Sequence, residues 1–209
     1  MNGKLNPAET TAAPKTEWQE ISVENGPATL TFEDIYREFG GKILNLAYRM
    51  TGTEETARDL TQEVFIKVYE NMEAFRGESQ VYTWIYRIAA NHILNHLKSA
   101  QRRRWLSLMD KPLGEVLKEE EIEPGFRERA STPGPDRHLE KSERERIVWS
   151  AVQSLPPKYR IPFVLHRYEE MSYREIAEVT ELSLSAVEAR IHRAKKMVIK
   201  QLEPFWEEL

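Results

Sequence analysis

Apolar residues recur at intervals of three and four through two long stretches of the chain, and no segment shows the convincing two-residue alternation of a strand. Phe32, Ile35, Tyr36, Phe39, Ile43, Leu46, Ala47 and Met50 form the first stripe, with Thr31 placed to cap the helix and Asp34 near its start. Gly40-Gly41 is expected to weaken or bend this helix, because an interior glycine costs about 1 kcal/mol against alanine. Ala57, Leu60, Val64, Val68 and Met72 form a second stripe after Thr53 and the acidic turn Glu54-Glu55, and Phe75-Arg76-Gly77 ends it. Ser79 can cap a third helix running from Gln80 to about Lys98. This rhythm restricts the chain to an all-α fold.

The rhythm stops between residues 101 and 137, where Pro112, Pro124, Pro133 and Pro135 surround the acidic run Glu119-Glu120-Glu121. That segment reads as a flexible linker with a short helix around residues 113–121. Helical patterning resumes near His138, breaks at Pro156-Pro157, runs from Lys158 to about Tyr168 and continues in two further pieces. Ser172-x-x-Glu175 and Ser185-x-x-Glu188 both have capping-box spacing, and two capped helices joined by a tight turn make a helix-turn-helix. The expected organisation is two small helical domains, 28–100 and 138–209, joined by the linker 101–137 and preceded by a loosely attached tail, 1–27.

Charge is distributed against the average. The chain totals −4, yet Arg190, Arg193, Lys195, Lys196 and Lys200 stand against Glu188 alone between Ser185 and Lys200, a net +4. In that stretch Val187, Ile191, Ala194 and Val198 share one stripe, with Ser185, Ala189, His192, Arg193, Lys196 and Lys200 opposite. A second segment, Arg87 to Arg104, holds Arg87, Lys98, Arg102, Arg103 and Arg104 and no acid. Two basic segments on an acidic chain point to a polyanion. The absence of cysteine excludes disulfides and thiolate metal sites, and neither a long apolar run nor a signal-peptide pattern is present, so the expected location is the cytoplasm.

On the third helix Val81, Ile85 and Ile88 share an apolar face, while Thr83, Arg87, Asn91, Asn95 and Lys98 form a polar ridge with Trp84 at its edge. Amides and a guanidinium reach base edges or phosphates, and an aromatic ring stacks on an unpaired base. The competing reading of this ridge is a solvated helix face. His92 and His96 have the i, i+4 spacing of a zinc pair, but no acid or cysteine between Gln80 and Gln101 completes a site. Glu55, Asp59 and Glu63 form an acidic stripe that reads as a solvated face ahead of a metal site. No cysteine nucleophile, glycine-rich phosphate loop or metallohydrolase signature occurs, so neither an enzyme nor a cofactor is expected.

Four strings bring a family into view. Asp59-Leu60-Thr61-Gln62-Glu63-Val64-Phe65, then Tyr82 to Asn91, then Leu155-Pro156-Pro157-Lys158-Tyr159-Arg160, and Tyr173-Arg174-Glu175-Ile176-Ala177 before Val187 to Lys195 resemble the extracytoplasmic-function sigma factors of bacteria. The resemblance spans about residues 30–205. It implies a promoter-specificity subunit with two helical domains that bind core RNA polymerase, recognise the minus-35 and minus-10 elements and help melt the DNA. The runner-up is a free-standing helix-turn-helix regulator, which leaves the third-helix ridge and the Asp59 to Phe65 strip without a role.

The resemblance also implies roles for residues. Asp59, Leu60, Gln62, Glu63 and Phe65 match the strip that docks on the polymerase clamp helices of the largest subunit, and the flap of the second largest subunit is a further implied contact. Gly77, Glu78, Ser79 and Gln80 would hold a flipped-out minus-10 base, and Tyr82, Thr83, Trp84, Arg87, Asn91, Asn95 and Lys98 the separating non-template strand. Ser185, Glu188, Ala189, Arg190, His192, Arg193, Lys196 and Lys200 would meet the minus-35 element in the major groove. Family members often carry a basic or small polar residue where this chain has Glu188-Ala189. The acidic linker would thread toward the polymerase active site, and an anti-sigma factor is an implied partner.

Overall fold

A computed structural model describes residues 31–75, 79–109 and 143–206, and every regular element among them is helical. The tail, Gly77, Glu78, the segment expected to form a helix at 113–121 and residues 138–142 lie outside the described residues.

Helix α1 (Phe32–Thr51) begins where Thr31 and Asp34 form a reciprocal capping box, so two otherwise unpaired groups of the first turn are satisfied. Of the stripe expected from spacing it buries Ile35, Phe39, Ile43, Leu46, Ala47 and Met50, while Phe32 is half-buried and Tyr36 exposed. Gly40-Gly41 does not interrupt it: the helix runs on, with Gly40 beside the Tyr36 ring. Gly52 ends it in the left-handed region, φ 83°, where an added Cβ would also meet the Gln153 side-chain oxygen at 3.2 Å. Helix α2 (Glu54–Asn71) buries Ala57, Leu60, Thr61, Val64, Phe65 and Val68 against α1 and the third helix.

Helix α3 (Val81–Met109) is longer than the spacing suggests, and residues 101–109, assigned to the linker from composition, continue it. The reason is local: Gln101 to Met109 contains no glycine or proline, and Arg, Leu and Gln favour helix. The second half comprises α4 (Glu143–Gln153), α5 (Pro157–Tyr168), α6 (Tyr173–Thr180) and α7 (Leu184–Leu202), followed by a 3-10 turn, Glu203–Phe205. Pro157 at the first position of α5 is compatible with helix because the missing N–H there has no intrahelical partner.

The two halves pack against each other. Helix α1 touches α4 and α5, while α3 lies between α1 and α2 on one side and α5 and α6 on the other. Buried side chains of both halves form one connected cluster.

Candidate nucleic-acid interface

Helices α6 and α7 form the helix-turn-helix. Ser172 accepts from the Glu175 N–H while Glu175 reaches back to the Ser172 N–H at 2.7 Å, the capping box expected from the sequence. The second cap differs: Ser183, not Ser185, accepts from the Ala186 N–H at 3.2 Å, which starts α7 two residues earlier and places Ser185 inside its first turn. Ser183 has the extended backbone a cap requires, so its hydroxyl and not that of Ser185 faces the unpaired amides. Between the helices Glu181 takes a left-handed conformation, φ 54°, and makes the turn tight.

Val187, Ile191, Ala194 and Val198 anchor α7 on α4, α5 and α6. On its other side Ser185, Glu188, Ala189, His192, Arg193, Lys195, Lys196 and Lys200 are exposed, and Arg190 is half-buried. Among the described residues, none of Arg193, Lys195, Lys196 and Lys200 forms an ion pair with a carboxylate. Arg193 reaches only the Tyr159 hydroxyl, at 3.5 Å, and its proximity lowers that phenol below its usual pKa. A row of uncompensated cations on one helix face is suited to phosphate.

A second surface lies where α2 meets α3. Trp84, Ile88, Asn91, His92 and Asn95 of α3 face Lys67, Glu70 and Asn71 of α2 across a cleft of about 410 Å³. The Trp84 ring packs at 4.9 Å from that of Phe75, which fixes one edge of the indole at the cleft. His92 Nε2 meets Glu63 Oε2 at 2.5 Å, so this histidine is tied to the acidic strip of α2. Asn91, Asn95 and Lys98 are exposed, as the ridge requires, and Ser79 and Gln80 stand before the helix. Lys67 and Asn71 were not singled out from sequence, although their i, i+4 spacing puts them on one face of α2.

Three residues assigned to contact surfaces are buried instead. Leu60 is 1% exposed and Phe65 3%, because α2 turns them into the core against α1 and α3. The apolar groups that this helix does present beside Asp59, Gln62 and Glu63 are Ile66 and Tyr69, 57% and 66% exposed. Thr83 is 2% exposed, since α3 is covered on the side of α6 as well as on the side of α1 and α2. The same packing engages two more residues assigned to the separating strand: Arg87 Nε donates to the Glu178 carbonyl at 3.1 Å, and the half-buried Tyr82 carries its hydroxyl 3.5 Å from the Glu169 carbonyl.

A helix-turn-helix with an uncompensated basic face on its second helix is the arrangement shared by DNA-binding helix-turn-helix proteins. Comparison with known proteins is more specific. The family model for sigma-70 region 2 matches residues 35–103, and that for sigma-70 region 4 matches residues 145–198. The chain is 34% identical over 178 residues to the RNA polymerase sigma-H factor of Pseudomonas aeruginosa, covering 85% of this chain and 89% of that protein. It is also 34% identical over 175 residues to the ECF RNA polymerase sigma-E factor of Haemophilus influenzae, covering 83% and 88% of the two chains. This chain belongs to the sigma-70 family of RNA polymerase sigma factors, in its extracytoplasmic-function branch, and acts in promoter-specific transcription initiation through core RNA polymerase.

Two solved structures share the fold at 19% identity. One is the sigma factor RpoE in complex with the anti-sigma factor NepR from Bartonella quintana, with a TM-score of 0.59 over 82% of this chain and 96% of that one. The other is CnrH with the cytosolic domain of CnrY, with a TM-score of 0.56 over 83% and 88%. Among the described residues no helix is long and apolar enough to cross a membrane.

Proposed function

We propose that the chain reads promoters at two separate surfaces: the exposed face of α7 binds minus-35 duplex, and the α2–α3 cleft holds the melted minus-10 strand. The observation that carries this reading is the pairing of an uncompensated cationic helix face with a separate cleft that combines an indole, three asparagine amides and a lysine. In the duplex site Arg193, Lys196 and Lys200 meet phosphates or base edges, with Ser185, Ala189 and His192 beside them. Glu188 is the one acid there, and a carboxylate accepts from a cytosine amine, so it biases base choice.

In the cleft, unstacking a base costs a few kcal/mol, and stacking on Trp84 returns about 1–3 kcal/mol. Asp59, Gln62 and Glu63, with Ile66 and Tyr69, form the strip that docks on the polymerase clamp helices, since their exposure leaves an acidic-rimmed apolar patch on α2. The helix-turn-helix half meets the polymerase flap, and an anti-sigma factor occludes these surfaces, a reading supported by the structural neighbour RpoE, which is in complex with the anti-sigma factor NepR.

Reconstituted initiation with core polymerase, on a promoter found by sequencing transcripts after forced expression, tests the division. Arg193→Ala should weaken minus-35 duplex binding and lower the salt slope by about 0.9. Trp84→Ala should spare duplex binding and reduce open-complex formation by about thirtyfold, the equivalent of about 2 kcal/mol of lost stacking. Equal effects of both changes on closed and open complexes contradict the two-surface reading. Duplex binding without any polymerase-dependent initiation favours a free-standing regulator.

A further inference from the structure

The first turn of α5 reaches the reading helix from outside the helix-turn-helix. Helix α5 packs along α7, and its third residue, the half-buried Tyr159, carries its hydroxyl to Arg193. There Arg193 Nη1 donates to the phenol oxygen at 3.5 Å. Lys158 Nζ stands 4.9 Å from the centroid of the same ring; this lysine is exposed and forms no ion pair with a carboxylate among the described residues. The Arg193 hydrogen bond, with Lys158 adding to it, holds the phenol below its usual pKa, as expected of an oxygen that faces two positive charges.

An exposed arginine is long and rotamer-rich, and ordering it on DNA costs conformational entropy unless a partner has restricted it beforehand. Among the described residues the Tyr159 oxygen is the partner Arg193 has. A neutral acceptor suits the task, because a carboxylate would restrict the guanidinium equally but cancel the charge that DNA is to meet. With Nη1 engaged, the Nε–Nη2 edge stays open, and that edge is a planar fork able to pair bidentately with a base edge or a phosphate. In the string Leu155 to Arg160, Leu155 and Arg160 are buried and Pro157 starts the helix, so Lys158 and Tyr159 carry the polar groups left for a partner.

Resting on the reading of α7 as the minus-35 helix, we propose that Lys158 and Tyr159 complete that site from outside the helix-turn-helix: Tyr159 is a positioning residue that aims the Arg193 guanidinium, and Lys158 adds a phosphate contact beside it. The two contributions are separable. A fixed aim helps only where the group it meets has a fixed place, on the matching promoter; a lysine on the backbone serves every sequence alike.

The test is closed-complex formation by the full chain reconstituted with core polymerase, at a temperature too low for melting. It uses the promoter found by transcript sequencing and the same duplex with its minus-35 element scrambled. Tyr159→Phe keeps the ring and every charge. It should weaken binding to the intact promoter about fivefold, the scale of one net hydrogen bond, leave the scrambled duplex and the salt slope unchanged, and cause no further loss in an Arg193→Ala background. A merely structural role of the phenol would persist in that background. Lys158→Ala should lower the salt slope by about 0.9 on both duplexes.

If Arg193→Ala itself leaves binding to the intact promoter unchanged, the reading of α7 fails and the positioning role with it. If Arg193→Ala weakens binding while Tyr159→Phe binds as tightly as the unaltered chain, or more tightly, the positioning role is overturned and the reading of α7 stands. Equal losses from Tyr159→Phe with and without Arg193, or on both duplexes, show that the phenol does not act through that guanidinium and overturn it too. An unchanged salt slope in Lys158→Ala removes Lys158 from the site.

Discussion

Arg160 is a buried cation with no carboxylate partner among the described residues, and replacing it by methionine isolates what its geometry contributes. The residue is 5% exposed. Its guanidinium donates to the Met50 carbonyl at 2.7 Å, to the Leu155 carbonyl at 3.1 and 2.8 Å, to Gln153 Oε1 at 3.0 Å and to the Gln153 carbonyl. Met50 lies in the last turn of α1, while Gln153 and Leu155 lie at and just beyond the end of α4, so the charge sits among carbonyls at the negative ends of two helices. Burial lowers its pKa to about 10, and it remains protonated at neutral pH.

Arg160→Met keeps the bulk and removes every donor, leaving three backbone carbonyls unpaired at about 1–3 kcal/mol each. Relief of guanidinium desolvation offsets part of that loss. The net expected destabilisation is about 3 kcal/mol, a fall in melting temperature of about 6–12 °C for a chain of this size. Urea unfolding of the full chain measures it as a shift in midpoint at constant slope. Arg160→Lys should recover only part, because an ammonium cannot span carbonyls on two helices in a planar fork. A loss below about 1 kcal/mol for the methionine variant refutes the idea that the guanidinium holds these helix ends.

Two further outcomes follow from the same interfaces. Burial raises the Glu169 pKa above that of a free glutamate, partly offset by the Tyr86 hydrogen bond and by Arg49 and Lys42; Tyr82, Glu38 and Glu175 are the other ionisable groups around this cluster. The packing of the two halves should be strongest below the ordinary glutamate pKa and weaken as pH rises through the raised value, read as a melting temperature that falls with rising pH. Glu169→Gln should flatten that response, and a response unchanged by it refutes the assignment. Glu181→Gly removes Cβ strain at φ 54° but adds unfolded-state entropy, for a net gain of about 0.5 kcal/mol or about 1–2 °C in thermal unfolding. A lower melting temperature contradicts that balance.

Much of the fold follows from patterns within a few residues. Apart from the exposed Tyr36, the stripe from Ile35 to Met50 lies on a buried face, as does the stripe Val187, Ile191, Ala194 and Val198, because a 3.6-residue period alone decides which side of a helix is apolar. The Thr31 and Ser172 caps are equally local. Errors came where two local signals competed, as with Ser183 against Ser185, or where composition substituted for propensity, as at residues 101–109. The exposed cations of α7 follow from the same periodicity, but Leu60 and Phe65 do not behave as an isolated strip suggests, since α2 packs on two neighbours.

Sequence alone therefore determined that the chain is helical, that it carries two basic segments of different character, and that its strings resemble sigma factors. Only the tertiary structure decided which face of α3 is free. The contacts that settle it join residues 83 to 110 positions apart, Tyr86 with Glu169 and Met50 with Arg160. A periodic pattern fixes what each helix can bury; what covers it depends on shape and hydrogen-bond partners that meet only when the two halves do.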